Sequence, residues 1–204
     1  MSGLTEQHAI RASDKSNRTF NPIRHIVDTL KPPQGHAKKF LNLALGDPTA
    51  HGLNPPDVLR RAMHDALDSN KYNGYMPSTG IPTARQAIAT YSARPGFDVD
   101  PDDCIICSGC SGAVEMVISG MLNEGDNILV PQPGFPLYEV IIKSLGGTAK
   151  HYPLDPTKSW ECDIKAMDKL IDGKTRAILI NNPSNPCGAN YTAEHLTAVA
   201  ALAR

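Results

Sequence analysis

An α/β fold with a mostly parallel sheet is the class this sequence predicts, and two observations carry it. From about residue 104 onward, short apolar runs alternate with amphipathic stretches. Strands are expected near 104–107, 127–130, 148–153 and 176–181, and helices near 111–122, 136–145, 163–171 and 192–204. The second observation is Ala177-Ile178-Leu179-Ile180, apolar at every position, as expected of a strand covered on both faces and flanked by neighbours.

The elements follow in order. Residues 1–45 read as an irregular, extended arm, because Pro22, Pro32 and Pro33 block any long helix. The arm leads into Leu41-Asn42-Leu43-Ala44-Leu45, a short alternating strand, and then the turn Gly46-Asp47-Pro48-Thr49. A helix is predicted from near Pro56, with Val58, Leu59, Ala62, Met63, Ala66 and Leu67 on one face. After a Tyr/Gly/Pro-rich loop over 72–80, a second helix spans about Pro82 to Ser92, with proline where the first turn needs no N–H. Cys104-Ile105-Ile106-Cys107 reads as a buried strand. The last helix opens at Thr192, a good N-cap, and runs to Arg204 without a C-cap signal. The chain is therefore expected to be the front part of a longer protein.

Composition narrows the class of function. The 204 residues carry 20 Lys+Arg against 21 Asp+Glu, a net charge of −1, with 41 % hydrophobic residues. That balance lacks the basic excess of a nucleic-acid surface. No apolar run approaches the ~18 residues of a membrane span, and residues 1–20 hold no secretory apolar core. A soluble cytoplasmic protein is expected, with a mitochondrial one as the alternative. Five cysteines do not suggest a disulfide framework. Cys104, Cys107 and Cys110 have a spacing that iron–sulfur proteins also use. On a strand, however, positions three apart face opposite ways, so small buried residues are the preferred reading and no metal is expected.

Three loops at the carboxyl ends of strands carry the chemistry, since ligands of parallel α/β sheets bind there. Ser108-Gly109-Cys110-Ser111-Gly112 links a strand to a helix start, where free N–H groups and hydroxyls suit a phosphate. Pro131 to Tyr138 follows the 127–130 strand and offers the ring of Phe135 and the phenol of Tyr138. Asn181 to Gly188 is an irregular loop fixed by two Asn-Pro steps, with amides that suit a ligand oxygen. Each loop alone is compatible with a plain turn. Three together point to a ligand site.

Leu45-Gly46-Asp47-Pro48, Tyr72-Asn73-Gly74-Tyr75, Ser108-Gly109-Cys110-Ser111, Pro131 to Tyr138 and Asn182 to Gly188 occur in an order that resembles the class I aminotransferases. Within that family, Asn21-Pro22-Ile23-Arg24, Ser159-Trp160-Glu161 and Pro183-Ser184-Asn185-Pro186-Cys187-Gly188 look closest to the branch that acts on tyrosine. The resemblance implies a fold type I, three-layer αβα large domain and the cofactor pyridoxal 5'-phosphate. It implies residues 1–45 as an arm and small-domain segment, and 46–204 as the incomplete first part of the large domain. By the same resemblance, Gly109, Cys110 and Ser111 hold the cofactor phosphate and Phe135 stacks on the ring. Asn185 donates to the ring's phenolic oxygen, Tyr75 reaches the neighbouring subunit's phosphate in a homodimer, and Gly46 contacts the substrate carboxylate.

The family's Schiff-base lysine is expected after Arg204, so no catalytic residue is assigned within these residues. The resemblance thus implies a transaminase moving an amino group from an aromatic amino acid to a 2-oxo acid, with this polypeptide inactive alone. The competing expectation is a non-catalytic short chain that binds phosphate or pairs with full-length subunits. A thiol or iron–sulfur redox protein, resting on the three cysteines, is a third.

Overall fold

The computed structural model describes residues 10–204 except 32, 36, 39, 40 and 42–45. The strand expected over 41–45 therefore lies almost wholly outside the described residues. Two compact units emerge: one takes in the described residues up to Thr29 together with Cys110–Arg204, the other Leu30–Gly109.

In the first unit the arm is more ordered than an extended segment. It holds two short helices, α1 (Asp14–Arg18) and α2 (Pro22–Thr29). Ser13 caps the first by accepting from the Ser16 N–H at 3.1 Å, and Asn21 accepts from the Arg24 N–H at 3.1 Å. Pro22 opens α2 instead of blocking it, because the first residue of a helix has no partner for its N–H.

The second unit contains α3 (Asp57–Asp68) and α4 (Pro82–Ser92), both where the pattern predicts them. The apolar face of α3 is uncovered among the described residues, with Val58, Leu59, Met63 and Leu67 all exposed. The strand and burial expected at 104–107 are not found. These residues belong to no strand, and Ile105 and Ile106 are exposed. The Ile106 N–H is satisfied by the Thr79 carbonyl of a loop at 3.0 Å, not by a strand ladder. The Cys104 and Cys107 thiols each face a backbone carbonyl close in sequence, Asp100 and Ile105. Among the described residues no group of His, Cys, Asp or Glu side chains is placed to hold a metal ion.

The first unit is built on the parallel sheet. Helix α5 (Gly109–Met121) precedes β1 (Asn127–Gln132), followed by α6 (Leu137–Ser144) and β2 (Thr148–Asp155). A two-residue strand β3 (Glu161–Cys162), α7 (Ile164–Leu170), β4 (Thr175–Ile178) and α8 (Ala193–Leu202) complete it. The sheet order is β3-β2-β1-β4. β1 is parallel to both β2 and β4, and the unpredicted β3 pairs antiparallel with β2. β4 is shorter than its apolar run: the ladder ends at Ile178, though the Leu179 N–H still reaches the Leu129 carbonyl at 2.9 Å.

Alternation along the strands feeds two cores, one on each face. Leu129, Tyr152, Leu154 and Cys162 pack with Met167 of α7 and Val199 of α8, and Ile178 and Ile180 join them. Ile128 and Val130 pack with Ile118 of α5 and Ile141 and Ile142 of α6, joined by Ala177 and Leu179. The run 177–180 is thus apolar because its two faces serve two cores. β4 is flanked on one side, by β1, among the described residues.

At the amino ends of the strands, Lys150 reaches Asp172 at 2.7 Å, and Asp172 accepts from the Asn127 amide at 2.9 Å. Lys150 first, then Asn127 and the Lys174 N–H, hold the Asp172 carboxyl well below the usual carboxylate range. A depressed carboxylate stabilises the fold fully above its unfolded value, about pH 4, and loses that contribution as pH falls through the folded one. Acid unfolding followed by circular dichroism is expected to begin at higher pH in Lys150→Met than in the parent chain. Superimposable acid transitions would show that the pair contributes nothing.

Candidate functional site

β1 and β4 are parallel neighbours, so the loops that follow them, 133–136 and 179–192, leave the sheet at the same end. The first loop turns tightly. Gln132–Pro133 is cis, and a Cβ on Gly134 would lie 2.3 Å from the Pro131 carbonyl oxygen, so only glycine fits without moving backbone. The turn delivers Phe135, which remains partly exposed, and Tyr138 in the first turn of α6. Their rings meet edge to face, 5.7 Å apart.

The floor of this loop is a cleft of about 300 Å³ lined by Val130 to Pro136, Tyr138, Glu139 and His151, with Pro22. Burial raises the Tyr138 hydroxyl above the ordinary phenol range, and the Cys110 thiol nearby adds to it. That influence places the start of α5 beside the Phe135 loop. Gly109 begins α5 in the left-handed region at φ 70°, a conformation glycine adopts without strain, and Cys110 and Ser111 follow it, both exposed. The first N–H groups of an α-helix have no intrahelical partner and carry the positive end of its dipole. They form an anion-favouring edge.

The loop after β4 is shaped by its own amides. Asn182–Pro183 and Asn185–Pro186 are both cis. Asn182 accepts from the Tyr191 N–H at 2.9 Å. With its amide turned to satisfy both neighbours, Asn181 accepts from the Asn185 N–H at 3.0 Å and donates to the Pro183 carbonyl at 3.1 Å. Ser184 is buried, and its N–H and carbonyl are taken by Ala189 and Gly188. The Asn185 side chain is left exposed.

Cys110, Phe135 and Tyr138 thus lie near one another, Ser111 follows Cys110 in α5, and Asn185 belongs to the loop after β4 at the same sheet end. Gly46 and Tyr75 lie in the other unit, Leu30–Gly109, both exposed there. Two lining residues were missed from sequence. Glu139 is hydrogen-bonded to His151 at 3.2 Å and paired with Lys143. Lys143 first, and His151 with it, lower its carboxyl. The signal was present in part: Glu139 and Lys143 are four apart on a helix, whereas His151 needs the β1–β2 register, where it pairs with Val130.

A family model described as aminotransferase class I and II matches residues 38–204. The chain belongs to this family. Over 195 residues it is 47 % identical to tyrosine aminotransferase of Mus musculus, covering 95 % of this chain and 43 % of that protein. The solved tyrosine aminotransferase of Leishmania infantum is similar with a TM-score of 0.86 at 36 % identity, covering 96 % of this chain and 51 % of the other. An alanine aminotransferase from Pyrococcus furiosus follows at 0.84 and 31 % identity, over 93 % of this chain and 48 % of that one. The chain thus spans less than half the length of the curated aminotransferases it matches. These matches also bear out the aminotransferase resemblance and its fold, a mostly parallel sheet between helical layers.

Proposed function

We propose that this chain contributes the phosphate-holding and ring-holding part of a tyrosine-type aminotransferase that uses pyridoxal 5'-phosphate, transferring an amino group from an aromatic amino acid to a 2-oxo acid. The observation that carries the reading is a cleft at the carboxyl end of β1 lined by Phe135 and Tyr138, with Cys110 of the α5 start close enough to act on the Tyr138 hydroxyl. The donor set suits the group: the helix-start N–H groups after Gly109, whose own N–H donates to the Cys107 carbonyl, and the Ser111 hydroxyl for a phosphate, an exposed flat ring for a heterocycle, and an exposed amide for an oxyanion.

When bound, pyridoxal phosphate supplies a carbonyl for the amino group and an electron-poor ring that eases loss of the Cα proton. This chain's residues bind and orient. Gly109, Cys110 and Ser111 hold the phosphate, and Phe135 covers one ring face. Asn185 donates its amide hydrogen to the ring's phenolic oxygen. Tyr138, raised by burial, keeps its proton at neutral pH and acts as a hydrogen-bond donor, not as a base. Tyr75 extends to the phosphate held by a second subunit of a homodimer, and Gly46 contacts the substrate carboxylate through its backbone. Among the described residues no lysine lines the cleft. The polypeptide alone is therefore proposed to hold the anion without turning substrate over.

A chimera tests this directly. The matching segment of the mouse tyrosine aminotransferase is replaced by this chain, and the product is assayed with tyrosine and 2-oxoglutarate. Transamination is expected, and Phe135→Ala in the chimera should weaken cofactor binding by about 1–3 kcal/mol. A folded chimera that binds pyridoxal phosphate but transfers no amino group from tyrosine contradicts the substrate assignment. One whose affinity ignores Phe135→Ala removes that ring from the site.

A further inference from the structure

A second group of reactive side chains stands apart from this cleft, on the opposite core. Cys162 closes β3 and His195 lies in the first turn of α8, 33 residues further on, yet Cys162 Sγ and His195 Nε2 are 2.9 Å apart. The other ring nitrogen, Nδ1, is 3.5 Å from Glu161 Oε2. Glu161's remaining oxygen accepts from the Thr192 hydroxyl at 3.2 Å, and that hydroxyl oxygen accepts from the His195 N–H at 3.1 Å. Tyr191 packs edge-on against the imidazole, centroids 5.3 Å apart.

This arrangement orients the ring. An ionised carboxylate only accepts, so the ring proton belongs on Nδ1 facing Glu161, and the lone pair of Nε2 faces the thiol. Nucleophile, base and orienting carboxylate then stand in line, the relation that activates weak nucleophiles in general. Cys162 is buried, 4 % exposed as a residue. It forms part of the wall of a cleft of about 340 Å³, lined also by Asp155, Lys158 and Lys165, large enough to admit a small reagent.

We infer that Cys162, His195 and Glu161 form a reactive-thiol site at which small hydroperoxides oxidise the Cys162 sulfur while His195 takes its proton. In the step an S–O bond forms and the peroxide O–O bond breaks. The thiol proton passes to His195 Nε2 and on to the departing oxygen, so hydroxide from hydrogen peroxide leaves as water and alkoxide from an organic hydroperoxide leaves as the alcohol. Sulfur is oxidised by two electrons to a sulfenic acid, and the peroxide is reduced. Burial pushes the thiol up to about 11, so the sulfur is protonated at rest and its reactivity depends on the neighbouring base, not on a standing thiolate. Glu161 is a positioning residue. The inference concerns neither the cofactor loops nor transamination.

The intact chain is exposed to hydrogen peroxide, sulfenic acid is trapped with dimedone, and labelling at each cysteine is followed by peptide mass spectrometry. Cys162 is expected to label about ten times faster than Cys104 and Cys107, and His195→Gln should slow Cys162 by about tenfold or more while leaving those two unchanged. Glu161→Gln, which keeps an acceptor oxygen beside Nδ1, should slow Cys162 by a few-fold. It provides the comparison if circular dichroism shows His195→Gln to be unfolded. Labelling of Cys162 no faster than Cys104, or a Cys162 rate indifferent to the folded variants, would show a packing contact and overturn the inference.

Discussion

Tyr152→Ala is expected to lower the stability of the chain by about 3–5 kcal/mol, the usual range for emptying a fully buried aromatic site. Tyr152 is completely buried in the core formed with α7 and α8, and its hydroxyl donates to the Leu179 carbonyl at 2.7 Å. Desolvation holds that phenol far above the ordinary range, so it is a permanent donor. Leu179 is the point where β4 stops and the Asn181–Gly188 loop begins, so one side chain joins the packing of a core to the course of a site loop. Tyr152→Phe isolates the second role. It keeps the ring, is expected to cost about 1 kcal/mol for the lost hydrogen bond, and should raise amide exchange over 179–188. Urea unfolding gives the first quantity and hydrogen exchange the second. A Tyr152→Ala loss below about 1 kcal/mol would mean the α7–α8 core is not packed as described.

The order of strands and helices after residue 127 was legible because the apolar periods are unambiguous there, and two of the three loops were legible because they follow the parallel strands β1 and β4, whereas the 108–112 turn follows no strand. The failures have physical causes. Cys104 to Cys107 has the composition of a buried strand but, among the described residues, no neighbouring strand to complete a ladder, a fact no local pattern contains. Pro22 was read as a breaker when its position made it a helix start. Strand β3 has two residues, too few for any period. α3 has the stripe of a packed helix, and the structure leaves that stripe exposed. Phe135, Tyr138 and Cys110, all legible in the sequence, lie close to one another, while the Glu139–His151 pair depends on strand register. The Cys162–His195 contact spans 33 residues and two elements, so tertiary structure alone reveals it.

We propose that these residues build a cofactor cradle whose reactive amine is not among them. Three of the described lysines near the sheet are held by hydrogen bonds or ion pairs. Lys150 donates to the Leu170 carbonyl and to Asp172, each at 2.7 Å, Lys143 pairs with Glu139, and Lys158 lies 3.7 Å from Asp155. The most direct measurement is to incubate the purified 204-residue chain with pyridoxal 5'-phosphate, reduce it with borohydride, and map modified lysines by mass spectrometry beside a tyrosine/2-oxoglutarate assay. The expected result is scattered, substoichiometric labelling without turnover. Stoichiometric modification of a single lysine together with amino-group transfer would contradict the claim.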